Sequence, residues 1–159
     1  MGLMSDEPLR LVLVQPEIPA NTGNIIRLCA AVGVPLHIIE PCGFFWDDRS
    51  LRRAGLDYHQ FCRLERHMTF EELEERWPAA DFYFLTSRAE RSFFRAQIKP
   101  PAVMVLGSET RGLGEKFLSC NNRLERAWKL PMPGQGRCLN LSTAAGIVVY
   151  EALRQLGKV

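Results

Sequence analysis

Three stretches of this chain gather residue types that can hold a ligand rather than merely join two elements. PEIPANTGNIIR (16–27) carries Asn21 and Arg27, GSETRGL (107–113) carries Glu109 and Arg111, and PMPGQGRCLN (131–140) carries Arg137, Cys138 and Asn140. Glycines in such loops let backbone amides and carbonyls come close to a bound molecule. A helix beginning at Leu141 would add free N–H groups beside the third loop, with Asn140 as its N-cap. Taken alone, the third loop suits a flexible turn feeding a core helix equally well. None of the three has the form GxGxxG or GxxxxGK[ST], which disfavours the usual dinucleotide-binding enzymes and P-loop ATPases, and no G-x-S-x-G elbow supports a hydrolase triad. His37, His59 and His67 have no metal-ligand spacing with one another or with a cysteine, so no metal is expected.

The elements between these loops must bring them together. Leu9–Val14 is an almost unbroken aliphatic run, the pattern of a strand buried on both faces. A helix is expected over about 23–32, starting near Asn21 or Thr22 and closed by Gly33. A second strand, Leu36–Ile39, ends at Pro41 and leads into a glycine-aromatic loop over 42–46. Asp47 or Asp48 would cap a short helix carrying Arg49, Arg52 and Arg53 and ended by Gly55. The spacing of Thr69 and Glu72 is that of a capping box, and it introduces an acidic helix, FEELEERW, that stops before Pro78 and whose charges read as a solvated face. Strands are expected at 82–85, Ala102–Leu106 and 127–130, with an irregular basic segment, SRAERSFFRAQIKPP, after the first of these and a short helix at 115–118. From Leu141 the small and apolar residues recur as Leu141, Ala144, Ala145, Val148, Val149, Ala152, Leu153 and Leu156, one buried stripe of a closing helix. Strands alternating with helices predict an α/β domain with a largely parallel sheet. Ligands of such sheets collect beyond the carboxyl ends of the strands, where all three polar loops fall, so one shared site is expected.

Composition narrows the classes. With 159 residues and 47% hydrophobic content the chain suits one domain spanning 1–159, residues 1–8 forming a flexible tail. A formal net charge of +2 is too small for a generic polyanion binder, so nucleic-acid contact must come from local basic clusters. Five cysteines without a CxxC pair, Cys29, Cys42, Cys62, Cys120 and Cys138, suit reduced thiols in a cytoplasmic protein. No stretch reaches the roughly 18 consecutive apolar residues of a membrane span, and no signal peptide is visible.

NTGNIIR (21–27), LGSETRGL (106–113) and LPMPGQGRCLNLSTAAGIVVYEALRQ (130–155) together resemble the three ordered motifs of the SPOUT (TrmH-like) class of RNA methyltransferases. HIIEPCGFFWDD followed by LRRAGLDYH resembles, more narrowly, the minimal branch that 2'-O-methylates the wobble nucleotide of certain leucine tRNAs. The likeness runs through nearly the whole chain, in order. It implies a SPOUT fold whose C-terminal segment is tied into a trefoil knot, where the general expectation is that connections do not thread. It implies S-adenosylmethionine as methyl donor, held by Leu85, Thr86, Leu106, Gly107, Leu130, Met132, Cys138, Leu139 and Asn140, with no metal. It also implies a homodimer acting on tRNA.

The family commonly has serine where this chain has Cys138, whose thiol is the poorer hydrogen-bond donor. The resemblance points to Arg27 as a catalytic residue. A guanidinium is a poor base, so the role expected is to grip phosphate and stabilise developing oxyanion charge, with Asn21 orienting Arg27 or the ribose and Glu109 bracing the loop. For RNA contact the candidates are Arg49, Arg52, Arg53 and Tyr150, then Arg88, Arg91 and Arg95 with Phe93 and Phe94. The alternatives are another tRNA or rRNA position, or a non-catalytic RNA-binding module on the same fold.

Overall fold

The computed structural model describes residues 7–47, 49–55 and 61–159. In chain order the elements are β1 (Leu9–Val14), α1 (Pro19–Val32), β2 (Leu36–Ile39), α2 (Arg49–Gly55), β3 (Leu64–His67), α3 (Glu71–Arg76), β4 (Asp81–Leu85), β5 (Ala102–Leu106), α4 (Glu115–Ser119), β6 (Ala127–Trp128) and α5 (Leu141–Gln155). The six strands form one sheet in the order β3-β2-β1-β5-β4-β6, and every pairing is parallel.

Sheet alternation divides the core in two. Leu11, Leu13, Ile38 and Met104 face Ile25, Ile26 and Cys29 of α1 and Ala145, Val148, Val149 and Ala152 of α5. Val12, Val14, Ile39, Val103 and Val105 face the opposite way, onto Phe70, Leu73, Trp77 and Leu118. Covering both faces is what lets β5, and β1 apart from Arg10, be apolar throughout. The second layer also takes in Arg123, only 1% exposed, whose guanidinium meets Glu74 at 2.6 Å, Glu71 at 3.3 Å and the Phe117 carbonyl at 3.0 Å.

Several expectations are corrected. Helix α1 begins at Pro19, so Asn21 and Thr22 are buried inside its first turns and Ile18 is the N-cap; Gly33 closes it in the left-handed region at φ 70°. β3 is a sixth strand with no signal of its own in LERH, because its charged middle lies exposed at the sheet edge, where charges discourage further pairing. β6 stops at Trp128 rather than continuing to 130. Lys129 leaves β4 and instead donates its N–H to the Arg91 carbonyl at 2.9 Å, while Phe93 N–H donates to the Lys129 carbonyl at 2.8 Å. The basic segment therefore carries a 3-10 turn at Phe93–Arg95 and buries Phe93 completely.

His37 and His67, far apart in sequence, stand side by side on β2 and β3. His59, Asp48 and most of the expected tail (1–6) lie outside the described residues. Glu7 and Pro8 are tied down, Glu7 to Arg63 and the Pro8 carbonyl to Ala102 N–H. No described helix is long and apolar enough to cross a membrane.

Candidate active site

Sheet order reverses between β1 and β5. β1 leads outward to β2 and β5 leads the other way to β6, so the loops leaving their carboxyl ends part and open a crevice. A cavity of about 500 Å3 lies there, within the range of small-molecule sites. Four chain segments line it: Ile18 and Asn21 after β1, Leu85 to Arg88 after β4, Leu106 to Gly112 after β5, and the stretch after β6 that contributes Leu130, Met132, Arg137, Cys138, Leu139 and Asn140. Leu141 and Ala144, from the first turn of α5, complete the wall.

Local geometry explains why these loops meet. At Gly107 an added Cβ would stand 2.0 Å from the Gly112 carbonyl carbon, so the residue that follows β5 must have no side chain. Ser108 and Gly112 then exchange backbone hydrogen bonds of 3.2 and 2.9 Å, closing a tight loop that aims Glu109 across the crevice. Its carboxylate accepts the N–H of Glu17 at 2.9 Å and of Ile18 at 2.6 Å, together with Asn21 Nδ2 at 3.3 Å. In return Thr110 Oγ1 donates to Glu17 at 2.7 Å. Hydrogen bonds from the Thr110 and then the Ser108 side chains hold the Glu17 carboxyl below the usual carboxylate range.

Glu109 therefore braces the start of α1, and its removal should be felt as stability. Charge-assisted hydrogen bonds are each worth roughly 1.5–3 kcal/mol. Because Glu109 is only half-buried, Glu109→Ala is expected to cost about 2–3 kcal/mol and lower the melting temperature by about 4–12 °C in thermal unfolding.

The fourth segment is fixed by Asn140. Its Oδ1 accepts the N–H of Ser142 at 2.9 Å and of Thr143 at 3.4 Å, capping α5, while its Nδ2 donates to Asn21 Oδ1 at 3.0 Å. Asn21 thus links Glu109 to Asn140, and three of the four wall segments share one hydrogen-bond network.

Every residue expected to hold the methyl donor lines this cavity, as does Asn21. Arg27 does not. It lies exposed on α1, six residues and so more than one and a half turns beyond Asn21, on a different face of the helix. Arg49, Arg52 and Arg53 are exposed on α2, whose Leu51 is buried beneath them, and Tyr150 is 50% exposed on α5. Phe93 is core, and Arg91 packs its guanidinium over Trp128 at 3.9 Å while bonding the Glu125 carbonyl at 2.7 Å, so both serve structure. Sequence reasoning misses Glu17, Ser108 and Thr110, whose only signal is that they lie inside the polar stretches.

The chain matches the SpoU rRNA Methylase family over residues 8–150. It is 46% identical over 149 residues to a tRNA (cytidine(34)-2'-O)-methyltransferase of Escherichia coli strain K12, with 94% of either chain covered. A solved structure described as giving structural insights into the 2-OH methylation of C/U34 on tRNA matches with a TM-score of 0.87 at 41% identity, over 98% of this chain and 100% of that one. A SpoU methyltransferase from Streptomyces viridochromogenes, solved in complex with the cofactor AdoMet, shares the fold with a TM-score of 0.79 at 23% identity, over 95% of this chain and 58% of that one. Both the match along most of the length and the identity to a full-length relative lead to one conclusion: the chain belongs to the SpoU rRNA methylase family.

Proposed function

We propose that this chain transfers a methyl group from S-adenosylmethionine to the ribose 2'-hydroxyl of the wobble nucleotide, cytidine or modified uridine, in leucine tRNA anticodons, and that it works as a homodimer in the cytoplasm. The observation that carries the reading is that the 46% identity runs through 94% of both chains, while the family match over residues 8–150 takes in all four segments that wall the cavity. The trefoil knot around 130–155 belongs to the same proposal.

The residues present fit the donor. Gly107 lets the 108–112 loop close against the end of β5, where a side chain would collide with the Gly112 backbone, and Leu85, Leu106, Leu130 and Leu139 supply apolar cover next to Thr86, Met132 and the backbone of 138–140. Those backbone groups would read an adenine edge while the leucines cover its faces. Cys138 would contribute its backbone rather than its thiol, a weak donor. S-adenosylmethionine, when bound, supplies an electrophilic methyl carbon on a sulfonium centre. The protein's own task is to hold the ribose hydroxyl in line with that carbon, and positioning of this kind is worth up to about 7–11 kcal/mol.

Asn21, held on one side by Glu109 and on the other by Asn140, is fixed well enough to orient the ribose. Arg27, exposed on α1 outside the cavity wall, would grip the phosphate of the bound RNA and bring its positive charge toward the attacking oxygen. Arg49, Arg52, Arg53 and Tyr150 offer exposed cationic and aromatic surface to the anticodon arm.

Incubating purified protein with S-adenosylmethionine and leucine tRNA transcripts, and locating the methylated nucleotide by mass spectrometry, tests the reading. A 2'-O-methyl group at the wobble position is expected. Methylation elsewhere in tRNA or rRNA would replace the substrate, and no detectable cofactor binding at millimolar concentration would leave an RNA-binding module.

A further inference from the structure

Parallel pairing of β2 with β3 sets His37 beside Glu65 and Ile39 beside His67, so His37, Glu65 and His67 project from one face of the sheet edge. His37 Nδ1 stands 3.0 Å from His67 Nε2. Glu65 Oε2 stands 4.0 Å from the first nitrogen and 3.7 Å from the second. His37 is 3% and His67 8% exposed, while Glu65 is half exposed. His37 is packed edge-on against Trp77, ring centroids 4.7 Å apart, and it is as the neutral imidazole that histidine ligates metals.

We propose that His37, Glu65 and His67 form a binding site for one divalent transition-metal ion, zinc being the expected occupant, with a fourth coordination position open to solvent beside Glu65. Two imidazoles and one carboxylate suit zinc and its neighbours in the first transition row. Bonds of about 2.0–2.1 Å in a tetrahedron put ligand atoms about 3.3 Å apart, and the three spans here bracket that distance, so each side chain needs to move by less than about 1 Å. A carboxylate stands on the far side of the ring: His67 Nδ1 lies 3.7 Å from Glu72 Oε2, near enough to become the outer partner of His67 once Nε2 binds a metal.

Arg76 bonds Glu65 Oε2 at 2.7 Å and Oε1 at 3.4 Å, and a carboxylate has lone pairs enough to serve a guanidinium and a metal together. Arg10 and Arg76 oppose added positive charge, which Glu65 and Glu72 offset, so moderate affinity is expected. The ion would replace the direct imidazole contact and fasten the edge strand β3 to β2. This site does not depend on the methyl-transfer reading.

Titrating Co2+ into untagged full-length protein, with the histidine ring resonances followed by NMR, tests the site directly. One equivalent should shift and broaden the His37 and His67 signals, and Zn2+ in hundredfold excess over its Kd should raise the melting temperature by about 5 °C or more. Glu65→Gln, at a half-exposed position, should weaken binding at least about tenfold, and His67→Gln should abolish it. If His67→Gln fails to fold, the ring signals and Glu65→Gln decide. Absence of saturation at millimolar Co2+ would overturn the proposal. So would equal affinity in Glu65→Gln and the parent protein, since the ion would then sit elsewhere, for instance on the exposed Cys120 and Cys138 thiols.

Discussion

Replacing Arg27 by alanine should lower kcat for tRNA methylation by about 10²–10³-fold, the usual cost of deleting a group that stabilises developing oxyanion charge, and leave the Kd for S-adenosylmethionine unchanged. The second half follows from geometry: Arg27 is exposed on α1 and forms no part of the cavity wall. Asn21, on the same helix, faces the cavity and is tied into the Glu109–Asn140 network, so an Asn21→Ala variant should move cofactor affinity and turnover together. Arg27→Lys separates charge from shape. A lysine keeps the positive charge but loses the planar fork, so partial recovery of kcat would identify charge stabilisation, and none would identify bidentate grip on phosphate. Single-turnover methylation with calorimetric titration of the cofactor reads both quantities. Unchanged turnover in Arg27→Ala would remove Arg27 from the mechanism, and a parallel loss of cofactor affinity would make it a residue that holds α1 in place.

What the sequence reveals divides at the range over which an interaction acts. Asn140 illustrates both sides. As N-cap it bonds Ser142 and Thr143, two and three residues on, and composition alone locates it; its amide hydrogen bond to Asn21 spans 119 residues and leaves no periodic trace. The apolar runs of β1, β2 and β5, broken only by Arg10 and His37, are legible because burial on both faces favours apolar side chains.

β3 is not legible, since Glu65 and Arg66 answer to Arg76 and Glu40 across other elements rather than to any alternation. That the polar loops share one site follows from topology, because all leave carboxyl ends of parallel strands, yet the bond that joins two of them, Glu109 to Glu17 N–H, crosses 92 residues. The start of α1 is misplaced for the same reason. Pro19 and Ile18 look like loop until Glu109 satisfies the N–H groups there, and Pro is well suited to the first helical position. The proximity of His37 and His67 depends on strand register, which spacing along the chain does not encode.

Gly107→Ala should have the largest combined effect on cofactor binding and stability of any single-methyl change in the site. The added carbon would lie 2.0 Å from the Gly112 carbonyl carbon and 2.3 Å from both the Gly112 oxygen and the Leu113 nitrogen. All three are backbone atoms, so no rotamer can relieve the contact, and the 108–112 loop must swing away from the end of β5. That loop carries Glu109 and Thr110, which hold Glu17, Ile18 and Asn21, so the displacement reaches the opposite wall of the cavity. Overpacking of this kind costs about 1–3 kcal/mol, which for a chain of this size lowers the melting temperature by about 2–12 °C. Cofactor affinity should fall by about 10²-fold or more, the equivalent of about 2.7 kcal/mol, because the backbone cradle at 106–107 no longer faces the residues that close it. Gly134→Ala and Gly136→Ala are the matched controls: a Cβ at either position meets nothing within 4 Å, and stability should stay within about 0.5 kcal/mol of the parent. Thermal unfolding and calorimetric titration of all three variants give the comparison. Full cofactor affinity in Gly107→Ala would mean that the donor does not bind against the end of β5, and the cavity would lose its claim to be the active site.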